Sequence, residues 1–202
     1  MLYLLDIFGT LIFAISGAFK ASQKELDVLG ALILAVATGV GGGIVRDVLL
    51  GATPPAAFQD ELYFIVCLCG GTLVIFIAPY IARQWNMVMA ADALGLGVFA
   101  AIGAAKASHF GLGPMGIIFM ASMTAVGGGV IRDVLANDVP AIVHTDFYAT
   151  AAIIGGSLFA ILYVFNIPEP VLLLVTIVST TGIRLVAMHW KLSLPRVRRL
   201  KK

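Results

Sequence analysis

The chain has 202 residues, 60% of them hydrophobic and 12% charged, with a mean hydropathy of +1.03. These proportions exclude an ordinary soluble domain, in which about a quarter of the residues carry charge, and point to a membrane protein. The net charge of +2 says little by itself, because the informative quantity is where the thirteen Lys and Arg fall relative to the spans.

Segments 2–19, 28–50, 61–82, 87–105, 114–136, 146–165 and 171–190 are apolar, and each is long enough to cross about 30 Å at roughly 1.5 Å per residue. The expected fold class is therefore an all-α polytopic membrane protein with seven transmembrane helices. Between the spans lie turn and charge signals such as Lys20 to Asp27, Pro54-Pro55, Arg83 to Asn86 and Pro140. Met1 to Asp6 carry no basic residue, so the first span is expected to be retained and not cleaved as a signal. Lys191, Arg196, Arg198, Arg199, Lys201 and Lys202 crowd the C-terminal tail, which places the tail in the cytoplasm and, with seven spans, the N-terminus outside. The tail reads as a topology anchor against membrane lipid, and no nucleic-acid partner is expected.

Shifted by 86 positions, residues 6–71 align on 92–157 without a gap, and 24 of the 66 positions are identical. This is an internal duplication. The expected organisation is a first three-helix repeat (1–86), a second (87–170), a seventh helix (171–190) and a basic tail (191–202). Because three spans is an odd number, the second repeat enters the membrane from the opposite side, so the two repeats are expected to be inverted.

The most demanding stretch occurs once per repeat: Gly41-Gly42-Gly43-Ile44-Val45-Arg46-Asp47 and Gly127-Gly128-Gly129-Val130-Ile131-Arg132-Asp133. Each helical glycine costs about 1 kcal/mol relative to alanine, and an arginine near the bilayer centre about 2.5 to 3.5 kcal/mol. The glycines either allow close helix packing or break the second and fifth spans and expose backbone to a wet path. Arg46 lies roughly 10 Å from the span midpoint toward the outer face and Arg132 equally far toward the inner face. Neighbours on a helix diverge, so Asp47 and Asp133 are not expected to neutralise the adjacent arginine. The depth count instead pairs Arg46 with Asp6 and Arg132 with Asp92.

Thr38 and Thr124, one turn before the glycines, and Ser16 and Ser122 could line such a path or bond back to their own helices. Lys20 and Lys106 lie near span ends, where they either reach toward water or take part in gating. Arg184, unmatched in the last span, either pairs across a subunit interface or reaches toward the cytoplasm. Cys67 and Cys69 point to opposite sides of a helix, and His109, His144 and His189 have no ligand spacing, so no metal and no cofactor are expected. No glycine run leads into Lys-Ser/Thr, and nothing assembles a nucleophile with a base, so no enzyme activity is expected.

Two copies of Gly-Gly-Gly-x-x-Arg-Asp at a gapless shift of 86, seven spans and a basic tail together resemble the prokaryotic trimeric intracellular cation channel family, a group also labelled as glycine transporters. The resemblance covers essentially the whole chain. It implies a homotrimer in the prokaryotic cell membrane with one pore per subunit, centred on kinked second and fifth helices and conducting monovalent cations, chiefly potassium and also sodium. On this chain the matching motif residues are Gly41, Gly42, Gly43, Arg46 and Asp47 with Gly127, Gly128, Gly129, Arg132 and Asp133, the glycines being the implied pore hinges. Arg46 and Arg132 are expected to act as structural latches whose charge acidic partners offset. The alternative is a secondary transporter of a small neutral amino acid such as glycine.

Overall fold

A computed structural model of the chain describes residues 1–81, 85–144, 147–190 and 192. Arg83 and the basic tail residues behind the expected orientation lie outside them, as does Asp146, the counterpart of Asp60. The described residues form nine helices and no strand: α1 (Leu2–Gln23), α2 (Val28–Leu50), α3 (Ala56–Gln59), α4 (Leu62–Ile81), α5 (Trp85–His109), α6 (Pro114–Leu135), α7 (Ala141–His144), α8 (Tyr148–Val164) and α9 (Glu169–His189). Each apolar segment read as a span coincides with one long helix. The four-residue helices α3 and α7 were not expected.

Among the described residues five helices are long and apolar enough to cross a membrane, while the apolar stretches of α4 and α8 are shorter, Leu62–Ala78 and Tyr148–Val164. Large side chains such as Leu29, Ile33, Phe76, Phe119, Ile161 and Val178 are exposed on the outside of the bundle. A water-soluble monomer does not leave so much apolar surface uncovered, whereas lipid or a subunit neighbour would cover it. The chain is an all-helical membrane protein.

The two halves share their local structure because they share their stop signals. Helix α1 is followed by Glu25 at φ 54° and α5 by Gly111 at φ 71°; α2 is followed by Gly51 at φ 72° and α6 by Asn137 at φ 54°. Glycine and asparagine enter this left-handed region most readily, and there the chain folds back on the last turn. Matching hydrogen bonds result: the Ala52 amide donates to the Asp47 carbonyl and the Asp138 amide to the Asp133 carbonyl, each at 2.8 Å. At the other end of α2 the Asp27 carboxylate accepts from the Gly30 amide at 2.7 Å, while α6 begins with Pro114 at its first turn.

In the first half α1, α2 and α4 pack on one another, and in the second α5, α6 and α8 do the same. The halves join where α1 meets α5 and α2 meets α6, and α9 lies against α5 and α8. Of the five helices long and apolar enough to cross a membrane, α5 is the most enclosed, lined by the fully buried Ala100, Ala101, Ala104, Ala105 and Ala107. Phe13 of α1 and Phe99 of α5, counterparts in the duplication, meet at 5.0 Å between ring centroids.

The glycine runs do not interrupt their helices. Both α2 and α6 remain α-helical through Gly41–Gly43 and Gly127–Gly129, so of the two readings of the runs a broken helix is the one the structure does not show. The glycines instead let α2 and α6 cross closely: a Cβ on Gly42 would lie 2.6 Å from the Thr124 carbonyl oxygen, and one on Gly128 only 2.4 Å from that of Thr38. Without side chains at these positions the two backbones touch.

Candidate functional site

On either side of the α2–α6 crossing lies a cluster of buried charges. In the first, Arg46 Nη2 donates to Asp6 Oδ2 at 3.0 Å, linking α2 to α1. In the second, Arg132 Nη1 donates to Asp92 Oδ1 at 2.6 Å, linking α6 to α5. Both contacts follow the depth count. All four side chains are buried, Arg46 to 1% exposure, so each guanidinium lies where an unpaired charge would be severely destabilising.

The expectation that the neighbouring aspartates stay out of these contacts is wrong. Arg46 Nε donates to Asp47 Oδ1 at 2.7 Å and Arg132 Nε to Asp133 Oδ1 at 3.0 Å. The divergence of adjacent residues governs where side chains leave the helix, but the long arginine arm curls back far enough for its Nε to meet the next carboxylate. Each arginine thus bridges two acids on different helices.

The other oxygen of each motif aspartate fixes a short helix. Asp47 Oδ2 accepts from the Ala56 amide at 3.0 Å and Asp133 Oδ2 from the Ala141 amide at 2.9 Å, at the first residues of α3 and α7. A carboxylate at a helix start satisfies an amide that has no partner within the helix. The matched Pro54 and Pro140 just before these amides were the available signal, because a proline after a long helix marks a turn that needs an anchor.

The clusters differ in their third partners. In the first, Lys106 Nζ reaches across from α5 to Asp47 Oδ1 at 2.7 Å, and the Tyr63 hydroxyl donates to Asp6 Oδ2 at 3.2 Å. In the second, Arg132 Nη1 donates to Ser16 Oγ at 2.6 Å, and Ser16 contacts Asp92 Oδ1 at 3.4 Å. Lys20, the counterpart of Lys106, is drawn instead to Asp138 Oδ2 at 2.6 Å, with Lys24 on the other oxygen at 2.5 Å. Asp138 replaces Ala52 of the first repeat, so this competing acid exists on one side only. Hydrogen bonds from Lys20 and Lys24 hold the Asp138 carboxyl down at about 2.

The small hydroxyls divide. Thr38, Thr124 and Ser122 donate to the carbonyls of Leu34, Met120 and Ile118 in their own helices, at 2.6, 2.6 and 2.9 Å. Thr38 and Thr124 are fully buried and pack beneath Gly17 and Gly103, where an added Cβ would meet either threonine oxygen at 2.6 Å. Ser16 alone joins a charged cluster. A cavity of about 10 Å³ lies beside the first cluster, lined by Asp6, Thr10, Gly39, Gly43, Arg46 and Asp47 among others. That is room for about one water molecule. The described residues contain no group of three or more His, Cys, Asp or Glu placed to hold a metal ion.

Comparison with known proteins agrees with this arrangement. The family model described as glycine transporter matches the chain twice, over residues 3–79 and 89–164, with starts 86 residues apart (89 − 3) as in the duplication. The UPF0126 inner membrane protein YadS of Escherichia coli K12 is 41% identical over 198 residues, covering 96% of this chain and 95% of its own. A structure solved to explain conductance through TRIC cation channels superposes with a TM-score of 0.90 at 38% identity over 98% of both chains. The TRIC trimeric intracellular cation channel orthologue from Rhodobacter sphaeroides superposes with a TM-score of 0.90 at 36% identity, over 95% of this chain and 98% of its own. With a glycine-transporter model spanning both halves and channel structures overlying nearly every residue, the chain belongs to the prokaryotic trimeric intracellular cation channel family.

Proposed function

We propose that the protein is a monovalent cation channel, permeable to potassium and sodium, that works as a homotrimer in the cell membrane with a pore in each subunit. The observation that carries this reading is the pair of buried, charge-bridged clusters on opposite sides of the α2–α6 crossing, in a fold shared with TRIC cation channels. All seven long helices span the membrane, the two repeats are inverted about an axis in its plane, and the basic tail keeps the C-terminus cytoplasmic and the N-terminus outside. The first cluster then faces outward and the second inward.

The arginines hold the helices and are balanced by acids, so they do not present bare positive charge to a cation. Carboxylate and carbonyl oxygens near the crossing offer the ligands that replace water around the ion. The cavity beside the first cluster has room for about one water, too little for a hydrated cation, so in this reading a wider outer path has to open there. Lys106 on Asp47 is the contact that must yield for it to open.

Reconstitution into planar bilayers tests the proposal. Unitary potassium currents that need no coupling gradient are expected. Saturable, gradient-dependent uptake of labelled glycine without unitary current would overturn it in favour of a transporter.

A further inference from the structure

Nothing described so far uses Arg184 of α9, yet it is buried to 4% exposure near the second cluster. Its guanidinium carbon lies 5.1 Å from the centroid of the Tyr148 ring, a cation–π distance. Tyr148 is itself buried, and its hydroxyl packs against Gly129, where an added Cβ would come within 2.5 Å of it. Through Tyr148, Arg184 is thus joined to the turn of α6 that leads into Arg132 and Asp133, with Asp92 close by.

The first cluster holds two carboxylates, Asp6 and Asp47, and two cations, Arg46 and Lys106. The second holds two carboxylates, Asp92 and Asp133, but among the described residues bonded to them only one cation, Arg132. The lysine that the duplication supplies, Lys20, is occupied by Asp138. A buried site left with an extra negative charge is strongly disfavoured, so a second cation is required nearby.

We propose that Arg184 is that cation: the seventh helix, which has no partner in the duplication, completes the charge balance of the second cluster and does for Asp92 and Asp133 what Lys106 does for Asp47. Arg184 is a positioning residue in this scheme, held by the Tyr148 ring and acting on the acids that flank the path. The assignment rests on the channel reading for its effect on current, but not for its effect on stability.

The test is a double-variant cycle on the full chain, read first as melting temperature in detergent. Arg184→Gln is expected to lower the melting temperature by on the order of 10 °C, because it strands a buried negative charge. Arg184→Lys, which keeps the charge, should lose less than half of that. Asp138→Asn alone should shift melting by no more than about 3 °C, since its ion pairs are partly open to solvent. In Arg184→Gln with Asp138→Asn, the released Lys20 can turn to Asp133 as Lys106 turns to Asp47, and at least half of the loss should return. Simple addition of the two losses would overturn the proposal, as would an Arg184→Gln protein that melts like the wild type.

If Arg184→Gln alone does not accumulate, Arg184→Gln with Asp92→Asn restores neutrality while keeping the bonds of Asp133 to Arg132 and the Ala141 amide, and should fold; failure of both also overturns it. In bilayers, the potassium current of Arg184→Gln should fall about tenfold and recover in the Asp138→Asn background, as expected for a local charge effect on the path. A wild-type protein without potassium current would defeat the channel reading, and the melting cycle would still decide the role of Arg184.

Discussion

Gly42 and Gly43 are neighbours in one glycine run, yet a methyl group at each would meet different surroundings. At Gly42 it would press against the Thr124 backbone oxygen, and at the matched Gly128 against that of Thr38. At Gly43 the nearest atom is an Arg46 nitrogen at 3.7 Å, and at Gly41 it is the movable end of the Ile131 side chain. Gly42→Ala and Gly128→Ala must therefore push α2 and α6 apart, an overpacking penalty of about 1 to 3 kcal/mol. For a chain of this size that is a drop in melting temperature of roughly 3 to 10 °C. Gly43→Ala adds helix propensity without a clash, and its melting temperature should stay level or rise. Equal losses at positions 42 and 43 would mean that the run acts through flexibility and not through the crossing.

At the scale of elements, Lys106 ties α5 to the end of α2, while Asp47 also holds the start of α3. Lys106→Gln should raise the open probability in bilayers by removing the cross-helix clasp, and because it strands the buried Asp47 charge it should also lower the melting temperature by on the order of 10 °C, as expected for Arg184→Gln. Asp47→Asn should do the same to the clasp but melt lower than Lys106→Gln, because it also loosens the Ala56 amide and leaves Arg46 short of an acid. The Lys20–Asp138–Lys24 link makes a pH statement. Its carboxyl lies below the ordinary carboxylate value, so the stability it adds is complete above about pH 4 and is lost only as the pH falls through about 2. Asp138→Asn and the wild type should therefore show the same pH dependence of current between about pH 5 and 8.

The seven long helices were legible in the sequence because apolar run length alone fixes them, and the Arg46–Asp6 and Arg132–Asp92 contacts were legible because repeat register converts position into depth. The helices α3 and α7 were not. They are too short for any periodicity, and they start where a distant aspartate oxygen meets an amide. The unequal use of Lys20 and Lys106 was hidden for a related reason: identical residues at matched positions suggested identical roles, and one unmatched residue, Asp138, redirects one of them. The unbroken glycine helices show the remaining gap. Glycine composition signals close approach and flexibility alike, and only the partner backbone decides between them.

At the scale of the whole molecule, both glycine runs, both arginine clusters and the crossing between them come from one chain. A complete path therefore needs no residue from a neighbour, and the subunits of a trimer should conduct independently. Gly43 offers a way to test this, because it lines the small cavity beside the first cluster and a Cβ there would meet only Arg46 Nη2, at an ordinary contact distance of 3.7 Å. Gly43→Leu places a side chain larger than that cavity against Arg46 while leaving the backbone contact at Gly42 in place, and should produce a silent subunit. A linked trimer carrying one such subunit should lose about one third of its maximal current while each remaining unitary step keeps its size. Loss of all current, or a uniform reduction of the unitary step, would instead require a single conduction path shared by all three subunits.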